Sequence, residues 1–191
     1  MGKVSFEEEE LIQIVTDSLC ASFPEIDSKK MKREVRKAIH KTEKEEAKHG
    51  KLAFIKTFGN FDVFVGDKTV VFGRARAKEL LAYLVDRQGA SITRAEAFAL
   101  LWEDGFYDRP MQKQLDVIIR NLKDTLVQNG IGEILDMERG TLRLVTDQVE
   151  CDLYKFLEGD LNTIRSFRGE YMSAYSWASL TEAYVTRQLD D

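Results

Sequence analysis

Two histidines, His40 and His49, and two cysteines, Cys20 and Cys151, are the side chains of this 191-residue chain with the readiest chemistry. Neither histidine stands at a spacing that suggests a metal site or a nucleophile–base pair. The 12 glycines form neither GxGxxG nor a GxxxxGK run followed by Ser or Thr, so no phosphate-cradling loop is expected. Carboxylates number 33, enough that some neighbour each other by chance. The sequence thus predicts no catalytic residue, no metal site and no cofactor, and the chain is not expected to be an enzyme. Two cysteines do not make a disulfide framework, and a reducing cytoplasm is the expected compartment.

What remains is charge. Between Lys29 and Lys41 the chain carries Lys29, Lys30, Lys32, Arg33, Arg36, Lys37 and Lys41 against Glu34 alone. Two readings stay open, a solvated helical face or a basic arm touching nucleic acid. Globally, 28 Lys+Arg against 33 Asp+Glu give a net charge of −5, so any charge that meets DNA must be concentrated locally. Hydrophobic residues at 43% and charged residues at 32% describe a soluble globular chain. No apolar run approaches the roughly 18–20 residues of a membrane span, and no membrane association is expected. The opening MGKVSFEEEELIQ is too acidic to be a secretory signal.

The elements that would position these groups follow from periodicity. Leu11, Ile12, Val15 and Leu19 lie at helical spacing between Phe6 and Cys20. Pro24 breaks the pattern, and Ser28 is the expected cap of a second helix to about Lys48, with Met31, Val35, Ala38 and Ile39 on one stripe and His49-Gly50 as its end. Glu7 to Glu10 could offset the cations of that helix if the two pack as a hairpin. Strand-formers over Leu52–Phe58, Phe61–Val65 and Thr69–Phe72 predict a small antiparallel meander. Helices are expected over Ala75–Gln88, over Arg94–Trp102 behind a Thr93/Glu96 capping box, and over Met111–Gln128 with Leu115, Ile118, Ile119, Leu122 and Leu126 inward. Asn129-Gly130 stops the last of these. Glu133–Leu135 and Thr141–Val145 read as a hairpin turning through Glu138-Arg139-Gly140. Helical segments run from Asp152 to the end, broken near Gly159-Asp160 and Gly169.

Strands, helix, helix, loop, helix and hairpin, in that order, make the logic of a winged helix-turn-helix, whose recognition helix enters the major groove. The fold class expected is α+β: a winged helix-turn-helix with a small N-terminal antiparallel sheet, flanked by an N-terminal helical hairpin and a C-terminal helical tail. Domains are expected at 1–50, 51–150 and 151–191.

The residues also resemble a family. FGNFDVFVGDKTVVF, ARAKELLAYLVDRQGASITRAEAFALLW and LDVIIRNLKDTL resemble, in order, the N-terminal sheet, the first two helices and the recognition helix of OmpR/PhoB-type winged-helix regulators, in their SARP-like version. FRGEYMSAYSWASLTEAY resembles the opening of the bacterial transcriptional activator domain that follows in SARP proteins, here truncated.

The resemblance implies a sequence-specific DNA-binding regulator with double-stranded DNA as partner. It places Lys113, Gln114, Val117, Arg120, Asn121 and Lys123 on or near the outer face of the recognition helix. Arg120 and Lys123 would meet phosphate or a guanine edge, Gln114 and Asn121 an adenine, and Val117 a thymine methyl. Arg139 would sit at the wing tip with Arg143 as a second wing contact, and Arg74 and Arg76 would meet backbone phosphates. The loop 103–110 falls where the family contacts RNA polymerase. With 50 residues ahead of the winged helix, no receiver module is expected.

The chain departs from the family in several places. Asn121 stands where the family has Arg, Ile118 replaces a polar residue, and the wing lacks the usual Gly-Tyr. Residues 51–150 hold 14 Lys+Arg against 15 Asp+Glu. A protein-interaction module, docking polymerase or a partner regulator without tight DNA binding, is therefore the alternative. A homodimer through the N-terminal helices is expected from their apolar stripes, and the aromatic residues Tyr154, Phe156, Tyr171, Tyr175 and Trp177 are expected to anchor the tail.

Overall fold

The computed structural model describes residues 6–22, 27–37, 52–102 and 105–189. They fall into two compact units, residues 1–50 and 51–191. The break at Pro24, the side chains of Glu7–Glu10 and Leu11, residues Ala38 and Ile39, the helix end at His49-Gly50, and Glu103 and Asp104 lie outside the described residues.

In the first unit, α1 spans Phe6–Ser22. Ile12 and Thr16 are fully buried, and Val15 and Leu19 half-buried, as the spacing requires. The Thr16 hydroxyl donates to the Ile12 carbonyl at 2.6 Å, which satisfies a buried polar group within the helix itself. Helix α2 covers 28–37, burying Val35 and half-burying Met31. Its cap is Asp27, not Ser28: the Asp27 carboxylate accepts the Lys30 amide at 2.9 Å. An aspartate supplies what a serine cannot, a negative charge at the helix start that offsets Lys29 and Lys30. The Lys32 ammonium donates to Gln13 Oε1 at 2.7 Å and ties α2 to α1.

The second unit begins with a sheet. Strands β1 (Ala53–Lys56), β2 (Asp62–Val65) and β3 (Lys68–Thr69) form the expected antiparallel meander, with Phe54 opposite Phe64 and Phe64 opposite Thr69. Ala53 and Ile55 point inward while Phe54 and Lys56 face solvent. Strand β3 is shorter than the Thr69–Phe72 expectation. After a last amide bond from Val70 to Val63 at 2.8 Å, the chain leaves the sheet toward the next helix, with Val71 82% exposed. The fourth strand comes from far along the chain. Strand β7 (Val149–Cys151) lies parallel to β1 with Ala53 opposite Val149, giving the order β3-β2-β1-β7.

Helix α3 (Ala75–Asp86) turns Ala77, Leu80, Leu81, Leu84 and Val85 into the core. Strand β4 (Ile92–Thr93) leads into α4 (Arg94–Leu101), which opens with the expected reciprocal capping box between Thr93 and Glu96. Helix α5 spans Arg109–Gln128, starting two residues earlier than expected because Asp108 caps it and Pro110 sits in the first turn, where a missing N–H costs nothing. It ends at Asn129, with Gly130 in the left-handed region. Where Glu133–Leu135 suggested a strand, the chain instead makes a 3-10 turn at Gly132–Ile134. Only then does β5 (Leu135–Asp136) pair with β6 (Thr141–Leu144), in a sheet ordered β4-β6-β5.

The tail forms α6 (Asp152–Leu157), α7 (Leu161–Ser166) and α8 (Ser179–Arg187), with Gly159 and Gly169 at the breaks. It folds back on the unit through the aromatic residues the sequence singled out. The Tyr154 hydroxyl donates to the Val85 carbonyl at 2.7 Å, and the buried Tyr171 hydroxyl to Asp86 Oδ1 at 2.9 Å. Phe156 meets Phe58 edge-on, and Trp177 stacks on Tyr175 while meeting Tyr83 edge-on. Asp152, only 8% exposed, accepts from the Thr57 and Phe58 amides and the Thr57 hydroxyl, so a tail residue closes the end of β1.

Candidate nucleic-acid interface

Helix α5 is amphipathic by construction. Leu115, Ile118, Ile119, Leu122, Thr125 and Leu126 hold it on the core. Lys113, Gln114, Val117, Arg120 and Lys123 are left exposed on the other side. Asp108 fixes its start by accepting the Met111 amide at 3.0 Å. On this face Asp116 pairs with Arg94 of α4. Partial burial opposes the Arg94 charge, but hydrogen bonds to Asp116 and Tyr107 outweigh it, so the guanidinium is held protonated more firmly than usual. The pairing removes one negative charge from the solvent side of α5 and braces α5 against α4.

Between the start of α3 and the first turns of α5 lies an open cleft of about 600 Å³, lined by Arg74, Ala75, Arg76, Trp102, Lys113, Gln114, Val117 and Ile118. Five of the ten residues expected to touch DNA thus converge, although Arg74 and Arg76 are distant in sequence from Lys113, Gln114 and Val117. The cations surround an apolar floor of Trp102 and Ile118, with Val117 44% exposed at the edge. Arg120 and Lys123 extend the exposed face along α5 outside the cleft.

Of the three remaining expected contacts, two take other places. Asn121 does not face outward: it is half-buried, its amide nitrogen lies toward Gly73, and its carboxamide oxygen is buried without a hydrogen-bond partner. At that angle on α5 the side chain meets the end of the segment leading into α3. Arg143 is engaged across the hairpin, donating from Nε to Asp136 Oδ2 at 2.7 Å, because the register sets the two residues opposite each other. Arg139 lies at the expected hairpin tip, exposed and in the left-handed region with φ 49°, followed by Gly140.

Sequence reasoning missed Trp102 as part of this site. Its ring carries the Arg76 guanidinium, 4.4 Å from the ring centre, and nothing in the spacing of positions 76 and 102 signals that contact. The loop before α5 is described from Gly105 onward. There Phe106 is 88% exposed, while Tyr107 packs on Phe98. Among the described residues no group of three or more His, Cys, Asp or Glu side chains could hold a metal ion, and no helix is long and apolar enough to cross a membrane.

This geometry can be set beside known proteins. The fold is similar to that of a solved structure. A structure of Mycobacterium tuberculosis EmbR in complex with low affinity phosphopeptide superposes with a TM-score of 0.57 at 16% sequence identity, over 72% of this chain and 42% of that one. The chain therefore spans less than half of the EmbR chain it matches. No family model matches the sequence, and no curated protein matches it. At this identity the likeness speaks to fold, a mixed α+β arrangement of helices and small sheets.

Proposed function

We propose that this protein is a cytoplasmic, non-enzymatic transcription regulator of the SARP-like, OmpR/PhoB-type class, binding double-stranded DNA through a winged helix. In this reading α5 is the recognition helix and enters the major groove, and the β5–β6 hairpin is the wing beside it. The observation that carries the reading is the cleft in which Arg74, Arg76, Lys113, Gln114 and Val117 meet. Cations at its edge suit phosphates, and the exposed amide and methyl groups of Gln114 and Val117 suit base edges. The fold shared with EmbR supports the same assignment.

Fluorescence anisotropy across a salt series, with random and promoter-derived duplexes, tests it. Affinity should fall steeply with salt, and Arg120→Ala/Lys123→Ala should bind at least tenfold more weakly, with a salt slope shallower by about two. Absence of binding at low salt would retire the reading.

A second reading is favoured by the 88% exposure of Phe106, in the loop the resemblance assigns to RNA polymerase. A near-neutral 51–150 segment presenting a bare phenylalanine suits protein docking, and co-precipitation with polymerase, lost in Phe106→Ala, distinguishes it. The homodimer proposed through α1 and α2 is checked by sedimentation, where a monomer at micromolar concentration would count against it.

A further inference from the structure

Arg76 is held differently from Arg94 and Arg143, for it lies over an aromatic ring. Arg94 and Arg143 are engaged by Asp116 and Asp136. Among the described residues no carboxylate pairs with Arg76, whose charge is held instead over the face of Trp102 at 4.4 Å. A guanidinium stacked on an indole keeps its in-plane N–H donors free, whereas one bound by a carboxylate has spent two of them.

The plate beneath it is itself packed against its neighbours. Trp102 stacks on Phe98 with centroids 5.1 Å apart and donates its amide to the Phe98 carbonyl at 2.9 Å. On its C-terminal side Gly105 comes so close that a Cβ there would lie 2.9 Å from Phe98 Cζ and 3.0 Å from Trp102 Cβ. Both Arg76 and Trp102 line the cleft that also holds Lys113.

We propose that Trp102 is a positioning residue. Its ring holds the Arg76 guanidinium over the cleft with donors free, where Arg76 clamps a backbone phosphate together with Lys113. The proposal rests on the DNA-binding assignment above and adds to it a residue that acts through another. It predicts a thermodynamic coupling that a merely structural tryptophan would not show.

The test is a double-mutant cycle on the full chain, read as duplex affinity across a salt series. Arg76→Ala should weaken binding about fivefold and reduce the salt slope by about one. Trp102→Leu should weaken it about threefold, while Trp102→Phe, which keeps an aromatic face, stays near wild type. In the Arg76→Ala background Trp102→Leu should cost nothing more. Additive losses, or an equal loss in Trp102→Phe, would overturn the proposal, because the indole would then touch the duplex directly or only support the loop.

A second arm uses inorganic pyrophosphate and the emission of Trp102 in a Trp177→Phe chain, which leaves one tryptophan of the two. Pyrophosphate should shift that emission, and Arg76→Ala should abolish the shift. If wild type binds no duplex, the DNA assignment fails and this signal alone decides the clamp: an Arg76-dependent shift upholds it and no shift overturns it. The same signal decides if Trp102→Leu does not fold.

Discussion

Asp152 shows how much one side chain can hold. Its carboxylate accepts from the Thr57 amide at 2.8 Å, the Thr57 hydroxyl at 2.5 Å, the Phe58 amide at 3.0 Å and the Leu153 amide at 2.8 Å. These donors are buried, so removing the acceptor strands them away from water. Asp152→Ala should cost about 3 kcal/mol or more in a urea titration, and Asp152→Asn, which keeps one acceptor oxygen, about 1–3 kcal/mol. A loss under 0.5 kcal/mol for the alanine variant would mean that water replaces the carboxylate. None of this was legible in the sequence, where Asp152 reads as an ordinary residue at the start of a helix. The contacts of Asn121 and Arg143 were hidden for the same reason: periodicity gives the face of an element, not what stands opposite that face.

Elements were legible where they carry their own signal. The stripe along α5 and the capping box of α4 are local patterns, and the structure reproduces both. In that box the Glu96 amide donates to Thr93 Oγ1 at 3.2 Å and the Thr93 amide to Glu96 Oε2 at 2.6 Å. Thr93→Ala should therefore cost about 1 kcal/mol, read as a lowered urea midpoint at unchanged slope. The short pieces were harder to read. The 3-10 turn at Gly132–Ile134 runs directly into the short β5, so the two could not be told apart by composition, and β3 ends early because α3 needs the chain elsewhere. The fourth strand, β7, could not be foreseen at all, since parallel pairing leaves no turn to mark it. The converging cleft was half-visible, because the cations could be named one at a time but not seen to share a space.

At the scale of the molecule, the tail buries its phenols beside carboxylates of the sheet-and-helix body. Burial, aided by the carboxylates of Glu79 and Asp62, pushes the Tyr175 phenol up to about 12, and burial likewise raises Tyr154 and Tyr171, with Asp86 close to both. A raised phenol binds its proton more tightly in the folded state than in the unfolded chain, where it leaves near pH 10. The stability these residues contribute is complete below about pH 10 and declines as pH rises toward their folded values, because the unfolded state then binds fewer protons. Alkaline denaturation should begin above about pH 10. Tyr175→Phe should move its midpoint upward, which a spectrophotometric titration followed by circular dichroism would detect.

The sheet that unites tail and body also imposes a timetable. Thr57 and Asp152 are 95 residues apart, and β7 immediately precedes Asp152. A ribosome adding about 5–20 residues per second needs roughly 5–20 s to supply the neighbour of β1 after β1 itself has been made. Through that interval the nascent chain can settle α3, α4 and the meander but carries β1 with one side unpaired, an open strand edge of the kind that recruits foreign strands. The acidic and basic side chains crowded into the first 50 residues emerge before that edge does, so the nascent chain already carries that charge when the open strand appears.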